Sequence, residues 1–220
     1  MVFSLIALAA VPPCWAQETN VPRTRTFSGL VSPPFPYAEP EEVGLSREKL
    51  DWLGDEIVSW VASGELVGAE LLIIKNGHAV FHEAYGWSDR EKAIPVERNS
   101  IWSIKSMSKP FTATAILMLA EEGMLSLDDL VSRYVPGFEG DDRTTIGHLL
   151  SHTSGYRDQD LGDPGPEHES LDEWVEDWAS RPPTGTFGEY EYTDFGFAAS
   201  GYIVQVVTGV SIAEFTEQRI

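Results

Sequence analysis

The sequence predicts an α+β fold, on two observations. One apolar hairpin, GAELLIIKNGHAVFHEAYG at 68–86, stands among six or more segments with helical patterning. No later segment has strand character, and a lone two-stranded hairpin is marginal in water with both edges open. The expectation is therefore part of a larger domain, with a mostly helical domain carrying one hairpin as the alternative.

The elements follow in chain order. Residues 1–16, MVFSLIALAAVPPCWA, have the apolar core and small-residue cleavage site of a secretory signal, although no Lys or Arg precedes Arg23. Such a signal implies a secreted or periplasmic protein. Cleavage after Ala16 would remove Cys14, the only cysteine, and with it disulfide and thiolate chemistry. Residues 17–42, rich in Pro, Ser and Thr, read as an extended lead-in to a domain over 43–220. Ser46 caps a helix whose apolar positions Leu50, Leu53, Ile57 and Val61 recur at three and four. Asn76-Gly77 is the turn of the hairpin. A nearly all-apolar helix then runs from about Ser106 to Glu122 and is closed by Gly123. Residues from about 125 to 190 form a helical region. It opens with a short helix from Ser126 to Tyr134, followed by one capped by Thr144 or Thr145 through Leu150. A long polar loop from Tyr156 to Ser170 and a helix from Leu171 to Ser180 complete it. Two more helices follow, Phe195 to Thr208 and one starting at Val210-Ser211.

Fifteen basic against thirty-five acidic residues give a net charge of −20, which would repel nucleic acid. The apolar core of the signal is too short to span a bilayer, so no membrane span is expected after cleavage.

The chemistry centres on SIKSMSKPFTATA at 103–115. A Ser and a Lys at i and i+3 share one helix face, and a serine at the helix N-terminus meets free N–H groups that favour negative charge. Two such pairs occur, Ser46–Lys49 and Ser106–Lys109. The first opens an amphipathic surface helix and reads as a cap. The second opens a buried one, and Pro110, tolerated only near a first turn, places the helix start at about Ser106. Ser106 could itself be no more than an N-cap. Ser103 and Ser108 lack a Lys three residues on, and Lys105 reads as a surface charge. Tyr192, at a loop before the helix at 195, could shuttle a proton if Lys109 lowered its pKa.

Three stretches carry a family likeness: Ser106-Met107-Ser108-Lys109, LLSHTSG at 149–155, and Tyr192-x-Asp194 followed by FGFAASGYIV. Together they resemble the serine β-lactamase and penicillin-binding superfamily, in its branch of class C β-lactamases, esterases and D-amino peptidases. The likeness extends over roughly residues 41–220. It implies a β-lactamase-like fold, an antiparallel sheet flanked by helices plus a helical region, lacking its C-terminal strands here. It also implies hydrolysis of a small ester, amide or peptidoglycan-like substrate through an acyl-enzyme, without metal or cofactor. Ser106 would be the nucleophile, Lys109 the base or activator and Tyr192 the proton shuttle. An esterase or D-amino peptidase is expected. A class C-like β-lactamase, a penicillin-binding module that does not turn over, or an inactive homologue are the alternatives.

The likeness also has departures. Asp194 stands where the family has an amide, and it would either contact substrate and Lys109 or cap the next helix. Its approach to Lys109 would keep that lysine protonated and move the base role to Tyr192. The family's third motif, Lys-Thr-Gly or His-x-Gly on a later strand, is absent from the sequence. Three other features are expected to be structural. His148 and His152 have zinc-like i, i+4 spacing, but Leu149 stands where a metalloprotease has Glu; Asp158, Asp160 and Asp163 fit a solvated loop; Trp174 and Trp178 fit the core.

Overall fold

The computed structural model describes residues 21–25, 35–138, 141–158 and 170–220. The predicted signal at 1–16, much of the lead-in, and Asp160 and Asp163 lie outside them. The chain divides into two compact units, one ending at Trp102 and one beginning at Ser103.

The first unit is a small antiparallel sheet with one helix. Its elements are β1 (Arg23–Arg25), α1 (Arg47–Ser63), β2 (Gly68–Lys75), β3 (His78–Asp89) and β4 (Ile94–Pro95). β3 pairs with β2, β1 and β4, giving the order β1-β3-β2 with β4 on the far part of β3. The hairpin is thus not alone: part of the predicted lead-in is a strand. Asn76 and Gly77, both at positive φ (52° and 74°), make the tight turn. Ser46 caps α1 by accepting from the Lys49 N–H. Leu50, Ile57 and Val61 of α1 pack on Phe81 and Tyr85 of β3. On the same strand face Glu83 is buried, and Arg23 of β1 answers it with an ion pair of 2.7 Å while the Tyr85 hydroxyl donates at 2.8 Å. A charge-paired carboxylate thus ties β1 to the sheet, a tie hydrophobic patterning could not reveal.

The second unit is helical: α2 (Lys109–Glu121), α3 (Ile146–Leu150), α4 (Leu171–Ala179), α5 (Phe195–Thr208) and α6 (Ile212–Arg219). α5 is the hub, packed on all four others. Its Phe195, Ala199, Ile203 and Val204 are buried with Ile116, Leu119, Ile146, Leu149, Val175 and Trp178. Thr145, Ser170 and Ser211 cap α3, α4 and α6 through side-chain oxygens, so the choice between Thr144 and Thr145 falls to Thr145.

The helix expected from Ser126 to Tyr134 does not form. The Ser126 hydroxyl accepts from Asp128 N–H and the Asp129 carboxylate accepts from Ser126 N–H, closing a turn. The Leu127 and Asp129 carbonyls then accept from Gly147 and Ile146, and Val131 N–H donates to Thr144. These tertiary partners occupy the groups that an α-helix would pair internally, leaving one 3-10 turn at Val131–Arg133.

Gly196 lets α5 and α3 approach closely: a Cβ there would meet the Leu149 carbonyl oxygen at 2.7 Å. At Gly201 the nearest neighbours would lie at 3.6–3.8 Å, ordinary contact. Gly196→Ala is expected to lower the unfolding free energy by about 1–3 kcal/mol through overpacking. Gly201→Ala should be neutral or gain up to about 1 kcal/mol from helix propensity. Denaturant unfolding of both variants checks this; equal effects would refute the close approach.

Candidate active site

Ser106 lies in a 3-10 turn, Lys105–Ser108, that leads directly into α2. The α-helix proper begins at Lys109, with Pro110 in its first turn, so the helical path starts where Pro110 required it. Lys105 enters the turn at positive φ (49°), an uncommon conformation for a non-glycine residue that re-aims the chain ahead of Ser106. The Ser108 hydroxyl is spent on the Lys105 carbonyl at 2.6 Å, and Lys105 is exposed.

Lys109 and Tyr192 converge on Ser106. The Lys109 ammonium donates to Ser106 Oγ at 3.2 Å, and Tyr192 Oη lies 2.8 Å from the same oxygen. The ammonium also sits 4.7 Å from the Tyr192 ring centroid and 5.7 Å from that of Phe197. Asp194 forms a salt bridge with it, Oδ1 to Nζ. The lysine side chain is 14% exposed and the aspartate 54%, so the pair lies at the mouth of the site. Burial pulls the Lys109 pKa down, but Asp194 and Tyr192 outweigh it and hold the ammonium above the ordinary lysine value. Asp194 occupies the N-cap position of α5 without capping it through its side chain. Of its two predicted roles, the carboxylate takes the contact with Lys109.

Two residues, Asp158 expected in a solvated loop and His152 expected to be structural, hold this arrangement. Asp158 is not a solvated loop residue. Its carboxylate accepts from the Thr193 hydroxyl at 2.6 Å and from Asp194 N–H at 2.8 Å. His152, at the end of α3, accepts through Nδ1 from Thr193 N–H at 3.2 Å, and its carbonyl accepts from Glu191 N–H at 2.8 Å. Gly185 and Gly188 N–H bond to the Gly155 and Thr153 carbonyls, and Arg157 pairs with Glu191 at 2.6 Å. Segment 152–158 therefore splints segment 185–194 along its length. Nothing in the sequence marks Asp158 as a partner of residues 35 positions away.

Ser106, Lys109 and Asp194 line a cavity of about 410 Å³ that has Leu171, Trp174 and Ile212 among its apolar lining. Trp178 is buried in the core as expected. Trp174 packs edge-on against it at 4.7 Å between ring centroids and also lines the cavity; its buried Nε1–H has no hydrogen-bond partner among the described residues. His148 Nδ1 is taken up by Thr145 in the α3 cap. Among the described residues no group of three or more His, Cys, Asp or Glu could hold a metal ion. No single helix there is long and apolar enough to cross a membrane.

An antiparallel sheet with helices, and a Ser-x-x-Lys turn met by a tyrosine loop, define a β-lactamase-like α+β fold. Residues 53–220 match the Beta-lactamase family, and the chain belongs to it. Protein flp of Staphylococcus aureus is 32% identical over 169 residues, 69% of this chain and 32% of its own length. The structure titled EstCE1, a hydrolase with promiscuous acyltransferase activity, superposes with a TM-score of 0.67 at 25% identity, covering 79% of this chain and 51% of that one. The octameric penicillin-binding protein homologue from Pyrococcus abyssi gives a TM-score of 0.63 at 30% identity over 80% of this chain and 42% of that one. The chain spans about a third of the length of the curated relatives it matches.

Asp158→Ala removes a charged acceptor from two donors, a hydroxyl and a backbone amide. A loss of about 2–3 kcal/mol in denaturant unfolding is expected, since a bond to a charged group contributes about 1.5–3 kcal/mol and solvent weakens the pair at half-buried Asp158. A change below about 0.5 kcal/mol would show that the tyrosine loop holds itself.

Proposed function

We propose that this chain carries the nucleophilic half-site of a serine acyl hydrolase that cleaves an ester or amide through an acyl-enzyme on Ser106. The observation that carries the reading is the meeting of Tyr192 Oη and Lys109 Nζ at one serine oxygen, Lys109 from 3 residues away and Tyr192 from 86. Tyr192 Oη takes the Ser106 proton while Oγ bonds to the carbonyl carbon. The proton passes to the leaving alcohol or amine as its bond to carbon breaks. Water, deprotonated by the same tyrosine, then releases the acid and restores Ser106.

Lys109 acts in its protonated form. Asp194 keeps it an ammonium, which stabilises negative charge as it develops on Oγ and on Oη. The base role therefore goes to Tyr192. The apolar lining of the adjoining cavity favours an acyl or leaving group with hydrophobic bulk, as in an esterase or D-amino peptidase. The likeness to a hydrolase with acyltransferase activity supports ester chemistry. We also propose export, on the signal-like residues 1–16.

A p-nitrophenyl ester tests the reading. Steady release that disappears in Ser106→Ala is expected, with Tyr192→Phe slower by about 10²–10⁴-fold. One acyl group per chain and no more would favour a penicillin-binding module; no labelling of Ser106 by the ester would end the acyl-enzyme reading. Asp194→Asn should lower the Lys109 pKa, so the alkaline limb of the pH–rate profile should move to lower pH. An unmoved limb would deny Lys109 the role of obligatory cation.

A further inference from the structure

His152 is bound into the site more tightly than a turn residue needs to be. Its backbone is left-handed, at φ 58°, which turns the ring inward at the end of α3. The ring stacks on Tyr192 at 4.7 Å and 28°, and touches Phe197 at 5.2 Å and Tyr190, edge-on, at 5.7 Å. Nδ1 accepts from the N–H of Thr193, the residue between Tyr192 and Asp194. That bond requires a neutral imidazole with its proton on Nε2.

We propose that His152 is a positioning residue for acyl transfer: its neutral ring fixes the plane of Tyr192 and the backbone beside it, and its protonation in mild acid releases both. The inference rests on the acyl-hydrolase reading and deepens it by assigning the acid limit of that site.

The charged groups facing His152 are Lys109 from α2, Asp158 from the splint and Asp194 from the tyrosine loop; the titratable hydroxyls are Tyr190 and Tyr192. Burial, joined by the Lys109 charge, outweighs the two carboxylates and holds the imidazole below the ordinary histidine value. Neutral His152 is thus the resident form at neutral pH. Protonation puts an Nδ1–H against the Thr193 N–H, donor facing donor, and a second cation beside Lys109. The positioning is present above the His152 pKa and is lost as pH falls through it.

Asparagine separates this from a merely structural role. Its side-chain oxygen can reach the place of Nδ1, it tolerates a left-handed backbone, and it does not titrate. Ester hydrolysis by the wild-type chain should show an acid limb with a midpoint below about 6.5. His152→Asn should keep activity within a few-fold and lack that limb. His152→Ala should lose about ten- to hundredfold in kcat with KM little changed, the expected cost of misplacing a reacting group. A wild-type limb retained in His152→Asn, or wild-type kcat in His152→Ala, overturns the proposal.

A second readout does not need turnover. In ¹⁵N spectra of the wild-type chain, His152 Nδ1 should be unprotonated at neutral pH, and the Thr193 amide should titrate with the His152 ring. If no variant acylates Ser106, the hydrolase reading falls while these resonances still decide the positioning. A Thr193 amide indifferent to His152 protonation overturns it.

Discussion

The site depends on one constraint: a tyrosine loop must be held against the first turn of α2. Ser106 and Lys109 are neighbours by helical geometry alone, but no local rule brings Tyr192 to them. The distance is closed by the packing of α5 on α2 and α3, and by the hydrogen-bonded splint of residues 152–158. Buried aliphatic contacts provide most of the adhesion. Directed hydrogen bonds then set Tyr192 to within bonding distance of Oγ, which non-directional burial does not do.

Electrostatics within the loop run in a chain. Asp158 accepts from the loop backbone and from Thr193; Asp194, the next carboxylate, faces outward to Lys109; Lys109 then donates to Ser106. Each carboxylate has its own donors, so the negative charges of the splint and of the loop lie close together without being left unpaired. The cation they surround is protonated for the same reason. A lysine set among aromatic rings alone would lose its proton more readily.

Much of this was legible in the sequence, for identifiable reasons. The Asn-Gly turn, the Ser46 cap and the apolar faces of α1 and α5 obey local rules, and the structure follows them. Pro110 located the start of the helical path, which singled out Ser106. The residues that failed to show themselves act at long range. β1 pairs with β3 and is tied there by a part-buried Arg23–Glu83 pair, the 126–134 helix yields to tertiary partners, and Asp158 and His152 serve a loop more than thirty residues away. Polar residues of this kind resemble solvated ones until their partners are known, because hydrophobic periodicity carries no record of them.

The start of α5 places two demands on the Asp194 side chain. At an N-cap, an aspartate oxygen on the helix amides contributes about 0.5–2 kcal/mol. Asp194 occupies that position yet directs its carboxylate to Lys109 instead. Selection for heat tolerance and selection for turnover would therefore pull position 194 in opposite directions, the first toward a residue that caps and the second toward one that reaches the lysine.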